Sequence, residues 1–384
     1  MDTMRESEEY KTFQYLQHWQ RSKDPAALKR TFTEIGPLFS YCLKKMESLY
    51  GLLPRRKDGE DSLVHPLNVV LALRDAKISD ELGLTAGLMH DYVEETVDLY
   101  RDQQNIEEDD QGIAVLDAYE EKIFMQLEQE LLERHDKDKV KILIDALKLL
   151  TRHKRDFYYR SISNIYQHDN ELVKEIAIRV KLADRMHNIL SIECFSQEER
   201  NYQCFKNLFI LNNTKKFLLE NPSRVSMTQD IPSTQLLFKR CAKATYDAYL
   251  KMCDSCQEKG IIKIKSMIQL AFKKFALEKA GVWEVTKTDQ NEVHLLRIFQ
   301  GVIRKYDARL HHEWKLFESL KKSEYDYCRR FFADFNFSEE QIKAVIDYKD
   351  AYALKEIIAY LLYLPDYVVR KFLSSELSKD ARIV

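Results

Sequence analysis

Residues 82–96 read LGLTAGLMHDYVEET, in which an apolar run leads into a histidine–aspartate pair and then into two glutamates. An uninterrupted run of small and apolar residues is typical of a helix that is buried on all sides. His90 and Asp91 lie at the end of this predicted helix, so side chains able to bind a metal ion would stand inside the protein. Glu94 and Glu95 follow four residues after the pair, which returns both carboxylates to the same side of the helix if that helix continues.

The remainder of the chain also predicts helices. The 384 residues include 9 glycines and 7 prolines, too few for the turns of an all-β protein. A content of 45% hydrophobic and 32% charged residues is typical of a globular chain. The sequence therefore predicts an all-α fold in three segments. These are an N-terminal helical extension, a helical bundle and, after a polar linker, a second α-helical domain of unknown role: 1–35, 36–222 and 232–384.

The composition also argues against nucleic acids and membranes as binding partners. The net charge is −2, and neither half of the chain is basic enough to favour direct binding of nucleic acid. The chain contains no run of 18 apolar residues that would predict a membrane span, and its polar N-terminus lacks the features of a signal peptide. The seven scattered cysteines fit a reducing compartment. We therefore expect a cytoplasmic protein without membrane or nucleic-acid partners, in which Cys253 and Cys256 are helix residues one turn apart.

Two further segments carry potential metal ligands in a helical context. His65 precedes a proline in VHP, and Asp184 stands in KLADRMHN after an apolar run. Together with His90 and Asp91 they provide two imidazoles and two carboxylates, a nitrogen and oxygen set that suits a divalent metal in hydrolysis. Asp184 could instead be a surface acid paired with Arg185 or Lys181, although an unpaired carboxylate in a buried helix would be costly. His187 could compete with Asp184 as a ligand.

A histidine–aspartate pair alone is a weak signal, because the chain contains two others. His135–Asp136 and His168–Asp169 are set among charged or polar residues and lack a preceding buried helix. We interpret both pairs as surface or capping residues. The buried context, and not the dipeptide, distinguishes the pair at residues 90–91.

The order of these motifs resembles the HD-domain superfamily and, within it, the hydrolase domain of the RelA/SpoT family. The resemblance covers roughly residues 35–220 and depends on short signatures in the same order. They are RKDGE at 56–60, EET at 94–96, LT at 150–151 and KLADR at 181–185, followed by Asn188. By resemblance, residues 36–222 form an HD-type hydrolase domain. The tail shows no match to the pyrophosphate synthetase domain of the family.

The resemblance implies a metal-dependent hydrolase that removes the 3′-pyrophosphate of guanosine tetra- and pentaphosphate, the nucleotides of the stringent response. The products would be pyrophosphate and GDP or GTP. It implies one manganese ion per active site, with the ligands His65, His90, Asp91 and Asp184. It implies a role in orienting and activating the attacking water for Glu94 and Glu95. The implied substrate contacts are Arg56, Lys57, Thr151, Lys154 and Asn188.

The chain departs from the family pattern at two places. Glu95 stands where the second catalytic acid is usually aspartate, and Asp61–Ser62 stand where the family usually has proline and tyrosine. These departures leave the predicted metal ligands unchanged, but they leave open which nucleotide is the substrate. Two alternatives therefore stay open: an HD phosphohydrolase of another nucleotide, such as NADPH or a nucleoside polyphosphate, and a regulatory protein with a remnant HD site. The helical tail could supply a homodimer surface.

Overall fold

A computed structural model describes residues 18–56, 59–153, 158–226, 230–279, 282, 293–310 and 313–369 of the chain. In these ranges the backbone forms α-helices joined by loops and short 3₁₀ turns, without a strand. The prediction of an all-α fold is therefore confirmed for the described part. Residues 1–17 of the predicted N-terminal extension lie outside it. Within the same ranges, no helix combines the length and apolar character needed to cross a bilayer.

The helices up to residue 219 include the segments that carry the candidate ligands. They are α1 (Pro25–Thr31), α2 (Pro37–Tyr50), α3 (Val64–Asp75), α4 (Glu81–Met89), α5 (Tyr92–Gln104), α6 (Asp110–Leu132), α7 (Lys137–Leu150), α8 (Tyr158–Gln167), α9 (Glu171–Ile189) and α10 (Gln197–Leu219). Several begin after a residue whose side-chain oxygen accepts from an N–H of the first turn: Asp24, Asp80, Asp109, Asp136 and Asn170. Because these N–H groups have no partner within the helix, such caps decide where the helices begin.

The helices beyond residue 232 are α11 (Ser233–Gln257), α12 (Lys265–Lys279), α13 (Arg297–Gln300), α14 (Val302–Leu310), α15 (Trp314–Phe331) and α16 (Glu339–Tyr363). They share one apolar core with the first part of the chain. Helix α11 packs against α9, α10 and α16, and Tyr306 of α14 stacks on Phe205 of α10 with ring centroids 5.2 Å apart. The predicted division into two domains at residues 222–232 stays a prediction, and the two segments are in direct contact.

Helices α3, α4 and α9 pack directly against one another and carry the candidate ligands. Helix α4 is buried over residues 83–89, as its apolar run predicts. Gly87 lies where α4 meets α3, and a Cβ atom at this position would stand 2.4 Å from Cδ1 of Leu73. The missing side chain therefore permits the close approach of the two helices. Helix α9 is buried over its central turns, including Asp184.

The cysteine pair of α11 belongs to the core. Cys253 and Cys256 are both buried free thiols, and burial raises the pKa of each thiol to about 12. Since the thiolate is the reactive and metal-binding form, these two thiols are suited to packing. This agrees with the interpretation of the pair as helix residues one turn apart.

Candidate metal centre

Three of the four candidate ligands, His65, His90 and Asp91, offer ligand atoms that lie close enough together to hold one metal ion. Asp184 of α9 lies beside the two histidines. Nε2 of His65 lies 3.2 Å from Nε2 of His90 and 3.3 Å from Oδ2 of Asp91. Nε2 of His90 lies 3.0 Å from the same oxygen of Asp91. Oδ1 of Asp184 lies 3.4 Å from Nε2 of His65 and 4.0 Å from Nε2 of His90. Donor atoms that each lie about 2.0–2.2 Å from one ion would have separations of this size.

The ligands stand at the ends of helices or within a buried helix. His65 lies in the first turn of α3, His90 follows α4, and Asp91 precedes α5. The helix does not continue through the pair, because Asp91 has a φ of −104° and a ψ of 1°. The N–H of Glu95 nevertheless donates to the carbonyl of Asp91 at 2.9 Å. Glu95 therefore lies one turn beyond Asp91, although the two residues do not share an uninterrupted helix.

Hydrogen bonds at Nδ1 orient both imidazoles. Nδ1 of His90 lies 2.9 Å from the carbonyl oxygen of Gly87, and since a carbonyl only accepts, this nitrogen carries a hydrogen and Nε2 is the nitrogen that faces the carboxylates. Burial opposes protonation of His90, but the charges of Asp91 and Asp184 raise its pKa, and a metal ion would take the place of the proton on Nε2. Nδ1 of His65 lies 2.9 Å from Nδ1 of His187. Burial and nearby positive charge hold the pKa of His187 well below its usual value, so its neutral ring can accept from His65. Nε2 of His65 is then also a free donor atom for a metal.

Asp184 is a buried carboxylate with partners at both oxygens. Nδ2 of Asn188 donates to Oδ1 at 2.6 Å, and the ammonium of Lys181 lies 2.9 Å from Oδ2. Burial alone would raise the pKa of Asp184, but Lys181 and the two histidines hold it well below its usual value. The pairing of Asp184 with a lysine three residues earlier therefore occurs, but at a buried site and not on the surface.

The donor set fits a divalent cation. Burial would also raise the pKa of Asp91, but the charges and hydrogen bonds of His90 and His65 hold it well below its usual value. The site thus combines two imidazole nitrogens with two carboxylates that remain ionised. Imidazole and carboxylate donors suit manganese and other first-row divalent metals.

The two predicted catalytic acids lie beside the ligands. Glu94 and Glu95 are half-buried in the first turn of α5. Burial and the negative charges of Asp91, Asp98 and Glu94 raise the pKa of the Glu95 carboxyl to about 7. A carboxyl that titrates near neutral pH can both accept and return a proton under working conditions.

Tyr50, at the end of α2, is a candidate residue that sequence reasoning missed. Its hydroxyl is buried and has no hydrogen-bond partner among the residues described. Burial and the negative charges of Asp91 and Glu95 raise the pKa of Tyr50 well above its usual value, so the hydroxyl keeps its proton and can donate it to a ligand. No sequence signal separates Tyr50 from the other tyrosines, because its place depends on the packing of α2 against α4 and α5.

The predicted substrate contacts are described only in part. Arg56 donates to Oδ1 of Asn188 at 3.2 Å, so these two residues are brought together at the edge of the metal centre. Thr151 is buried at the end of α7, and its hydroxyl has no hydrogen-bond partner in the described part of the chain. Lys57 and Lys154 lie outside the described residues.

The other two histidine–aspartate pairs lie away from the centre at helix starts, as predicted. Asp136 caps α7 by accepting from the N–H of Asp138 at 3.1 Å and of Lys139 at 3.0 Å. Nδ1 of His168 accepts from the N–H of Asn170, the residue before α9, at 3.2 Å. In both pairs, a side chain therefore accepts hydrogen bonds from backbone N–H groups two or three residues further along the chain.

Comparison of the chain with protein-family models, with curated proteins and with solved structures found no match. The resemblance to HD hydrolases therefore remains a prediction from the motifs. A function for this chain has to be argued from the geometry of the metal centre and its surroundings.

Proposed function

We propose that this chain is a metal-dependent phosphohydrolase that removes the 3′-pyrophosphate of guanosine tetra- or pentaphosphate, releasing pyrophosphate with GDP or GTP. The observation that carries the proposal is the convergence of two imidazoles and two ionised carboxylates from distant parts of the chain. Charged groups are rarely buried together without a function or a bound ion. The choice of substrate depends on the resemblance of the motifs.

Manganese is the ion that we propose for the centre. The residues that would hold it are His65, His90, Asp91 and Asp184. When bound, such an ion supplies Lewis acidity at a phosphoryl oxygen and lowers the pKa of water. The hydrogen bonds from Nδ1 of both histidines would keep the rings in the orientation that binding requires.

The neighbouring acids would handle the proton of the attacking water. Glu95 would accept that proton, because burial and nearby carboxylates raise its pKa to about 7. A base with a pKa near the working pH balances availability against strength. Glu94, one residue earlier in the same turn of α5, would orient the water. The buried hydroxyl of Tyr50 would donate to the substrate or to that water.

Arg56 and Asn188 support a nucleotide as the substrate. The guanidinium of an arginine can stack on a base and donate several hydrogen bonds in a fixed geometry. The amide of Asn188 lies between Arg56 and Asp184, where it would contact the nucleoside next to the reacting phosphate. The guanine base itself has to be tested against other nucleotides.

The test is a hydrolysis assay on guanosine tetraphosphate, with and without manganese, for the wild type, Asp91→Asn and Asp136→Asn. Asp136→Asn is the matched control, because Asp136 belongs to another histidine–aspartate pair and only caps α7, a role that asparagine also fills. We expect manganese-dependent release of pyrophosphate and GDP by the wild type and the control. Loss of a ligand should lower the rate by more than about 100-fold.

Three outcomes would contradict the proposal at different levels. Equal rates for Asp91→Asn and the wild type would refute the metal site. Manganese binding without turnover would refute the guanosine polyphosphate, and a panel with NADPH and nucleoside polyphosphates would then identify another nucleotide. Neither metal binding nor turnover would favour the regulatory protein with a remnant site.

A further inference from the structure

A group of positive charges lies next to the metal centre, and we call it the basic cluster. It comprises Lys206, the four cationic side chains whose charges act on it, and the two aromatic rings that it contacts: Arg152, Lys181, Arg185 and Arg309, with Tyr158 and Tyr202. Lys181 belongs to both sites, since its ammonium lies 2.9 Å from Oδ2 of Asp184. The basic cluster therefore begins at the metal centre and extends along α9 and α10 to α14.

Lys206 of α10 is the central member of the basic cluster. Its ammonium lies 4.6 Å from the ring centroid of Tyr158 and 4.5 Å from that of Tyr202. Among the residues that the structure describes, no carboxylate lies within salt-bridge distance of this ammonium. A half-buried positive charge without a counter-ion is unfavourable, and the aromatic rings offset only part of that cost.

Neighbouring positive charges make the protonated form of Lys206 still less favourable in the absence of an anion. Burial and the positive charges of Arg185, Arg152, Lys181 and Arg309 lower the pKa of the Lys206 ammonium to about 7. An anion among these groups would stabilise the protonated form and raise the pKa again. Binding of the anion would therefore be coupled to uptake of a proton above neutral pH.

Two arginines of the basic cluster, Arg185 and Arg309, come from different parts of the chain. Arg185 is buried, and within the described ranges its guanidinium donates only to neutral groups, namely Oδ1 of Asn207 at 2.8 Å and the backbone and side-chain oxygens of Gln203 at 3.2 and 3.0 Å. The guanidinium of Arg309 lies 4.4 Å from the ring centroid of Tyr202. Since Arg309 belongs to α14, the segment beyond residue 232 contributes directly to the basic cluster.

Tyr158 provides a second, independent sign of a ligand. Its side chain is more than nine-tenths buried, and its hydroxyl has no hydrogen-bond partner among the described residues. Its ring lies 4.6 Å from the ammonium of Lys206, and the charges of Arg185, Lys181 and Asp184 act on its hydroxyl, so Tyr158 is close to both Lys206 and the metal centre. A buried donor without an acceptor among the described residues would be satisfied by an oxygen atom of a ligand.

We propose that the basic cluster binds the second phosphate group of the substrate, the diphosphate or triphosphate that is not cleaved, and that the C-terminal segment completes this subsite through Arg309. The inference rests on the proposed function for the identity of the reacting group at the metal centre. A phosphate group offers several charged acceptor oxygens, which match the guanidinium, ammonium and hydroxyl donors present. Because the members of the basic cluster other than Arg152 are buried or half-buried, it suits the end of a nucleotide better than the backbone of a nucleic acid.

The first experiment measures binding of GDP and of guanosine by calorimetry, in EDTA so that no metal contributes. The variants are Lys206→Met, Arg309→Met and Lys206→Arg, and the matched control is Lys216→Met. Lys216 lies on the same helix and is half-buried, and burial alone lowers its pKa. We expect each methionine variant in the basic cluster to weaken GDP binding roughly ten- to hundredfold and to leave guanosine binding unchanged. Lys206→Arg and Lys216→Met should bind GDP nearly as the wild type does.

Proton uptake adds a measurement that a purely structural lysine would not change. At pH 8, titrations in buffers of different ionisation enthalpy should show that the wild type takes up a proton on binding GDP. Lys206→Met should lose this uptake, because the group that is protonated is absent. Removal of a costly charge should not unfold the protein, and the thermal midpoint of Lys206→Met should equal or exceed that of the wild type.

The second experiment compares hydrolysis of guanosine tetraphosphate with that of guanosine 3′-diphosphate, which lacks the second phosphate group. Lys206→Met should lower kcat/KM roughly ten- to hundredfold for the first substrate and leave it almost unchanged for the second. GDP binding that does not depend on Lys206 and Arg309 would overturn the proposal. Binding that depends on them without any change in hydrolysis would also overturn it, because the anion would then be a separate effector. If neither substrate is cleaved but GDP binding depends on Lys206, the proposed function fails and the anion site stands.

Discussion

Replacing Glu95 with glutamine should make the metal-free protein more stable at alkaline pH while making it less active. The Glu95 carboxyl is half-buried, and burial with the negative charges of Asp91, Asp98 and Glu94 raises its pKa from 4.5 to about 7. Ionised Glu95 is therefore unfavourable in the folded protein. Glutamine has nearly the same shape and carries no charge, so it removes this cost together with the proton acceptor.

The magnitude follows from the difference between the two pKa values of Glu95. A rise from 4.5 to about 7 corresponds to ~3 kcal/mol of unfolding free energy. Because the pKa of the folded state is the higher one, the cost is absent below pH 4.5, grows as the pH rises towards 7, and is constant above that. The free energy of unfolding of Glu95→Gln should therefore exceed that of the wild type by ~3 kcal/mol at pH 8 and by ~1 kcal/mol at pH 5.5.

Urea unfolding in EDTA at both pH values measures this difference. Glu121→Gln, at an exposed position of α6, controls for the loss of one negative charge. In the manganese-dependent assay, Glu95→Gln should lower kcat by about 100-fold or more, because the general base is absent. The reasoning is refuted if the stability difference does not grow between pH 5.5 and pH 8, or if the variant is the less stable protein at pH 8.

Three further substitutions test the packing and the polar surroundings of the metal centre. Gly87→Ala should lower the free energy of unfolding by about 1–3 kcal/mol, because its Cβ atom would stand 2.4 Å from Cδ1 of Leu73; an unchanged thermal midpoint would contradict the close packing of α3 and α4. His187→Ala leaves Nδ1 of His65 without its partner, so manganese affinity in a calorimetric titration should fall roughly ten- to hundredfold, and wild-type affinity would show that His187 does not orient the ring. Tyr50→Phe should change the free energy of unfolding by less than about 1 kcal/mol, because the lost hydroxyl has no partner among the described residues. Its kcat/KM for guanosine tetraphosphate should nevertheless fall, and unchanged kinetics would show that the hydroxyl does not contact the substrate.

Much of the metal centre could be predicted because runs of apolar residues indicate which helices are buried. The apolar run before His90 and Asp91 has no polar face, so its helix had to be covered on all sides and the pair at its end had to lie near the interior. The apolar residues before Asp184 likewise predict that α9 is buried. The structure places both segments beside His65, as this pattern suggested.

Other features could not be predicted because they depend on contacts between distant residues. The break between α4 and α5 falls within the histidine–aspartate pair, whereas the sequence placed the pair at the end of a helix and left open whether that helix continues through Glu94 and Glu95. Tyr50 and Lys206 look like ordinary amphipathic helix residues in the sequence. The roles proposed for them follow from the absence, in the described part of the chain, of a hydrogen-bond partner for the first and of a counter-ion for the second, and such absences are visible only in the folded protein.

The all-α architecture, the helix starts at capping residues and the identity of the ligand-bearing segments are determined by the sequence itself. Each depends on interactions over a few residues, such as the helical repeat of apolar side chains and the hydrogen bonds of a cap. Only the tertiary structure decides that His187 supports His65, that Lys181 pairs with Asp184 inside the protein, and that Arg309 reaches the neighbourhood of Lys206. These contacts join helices that are far apart in the chain, and they form because close packing of the shared core leaves the side chains no other arrangement.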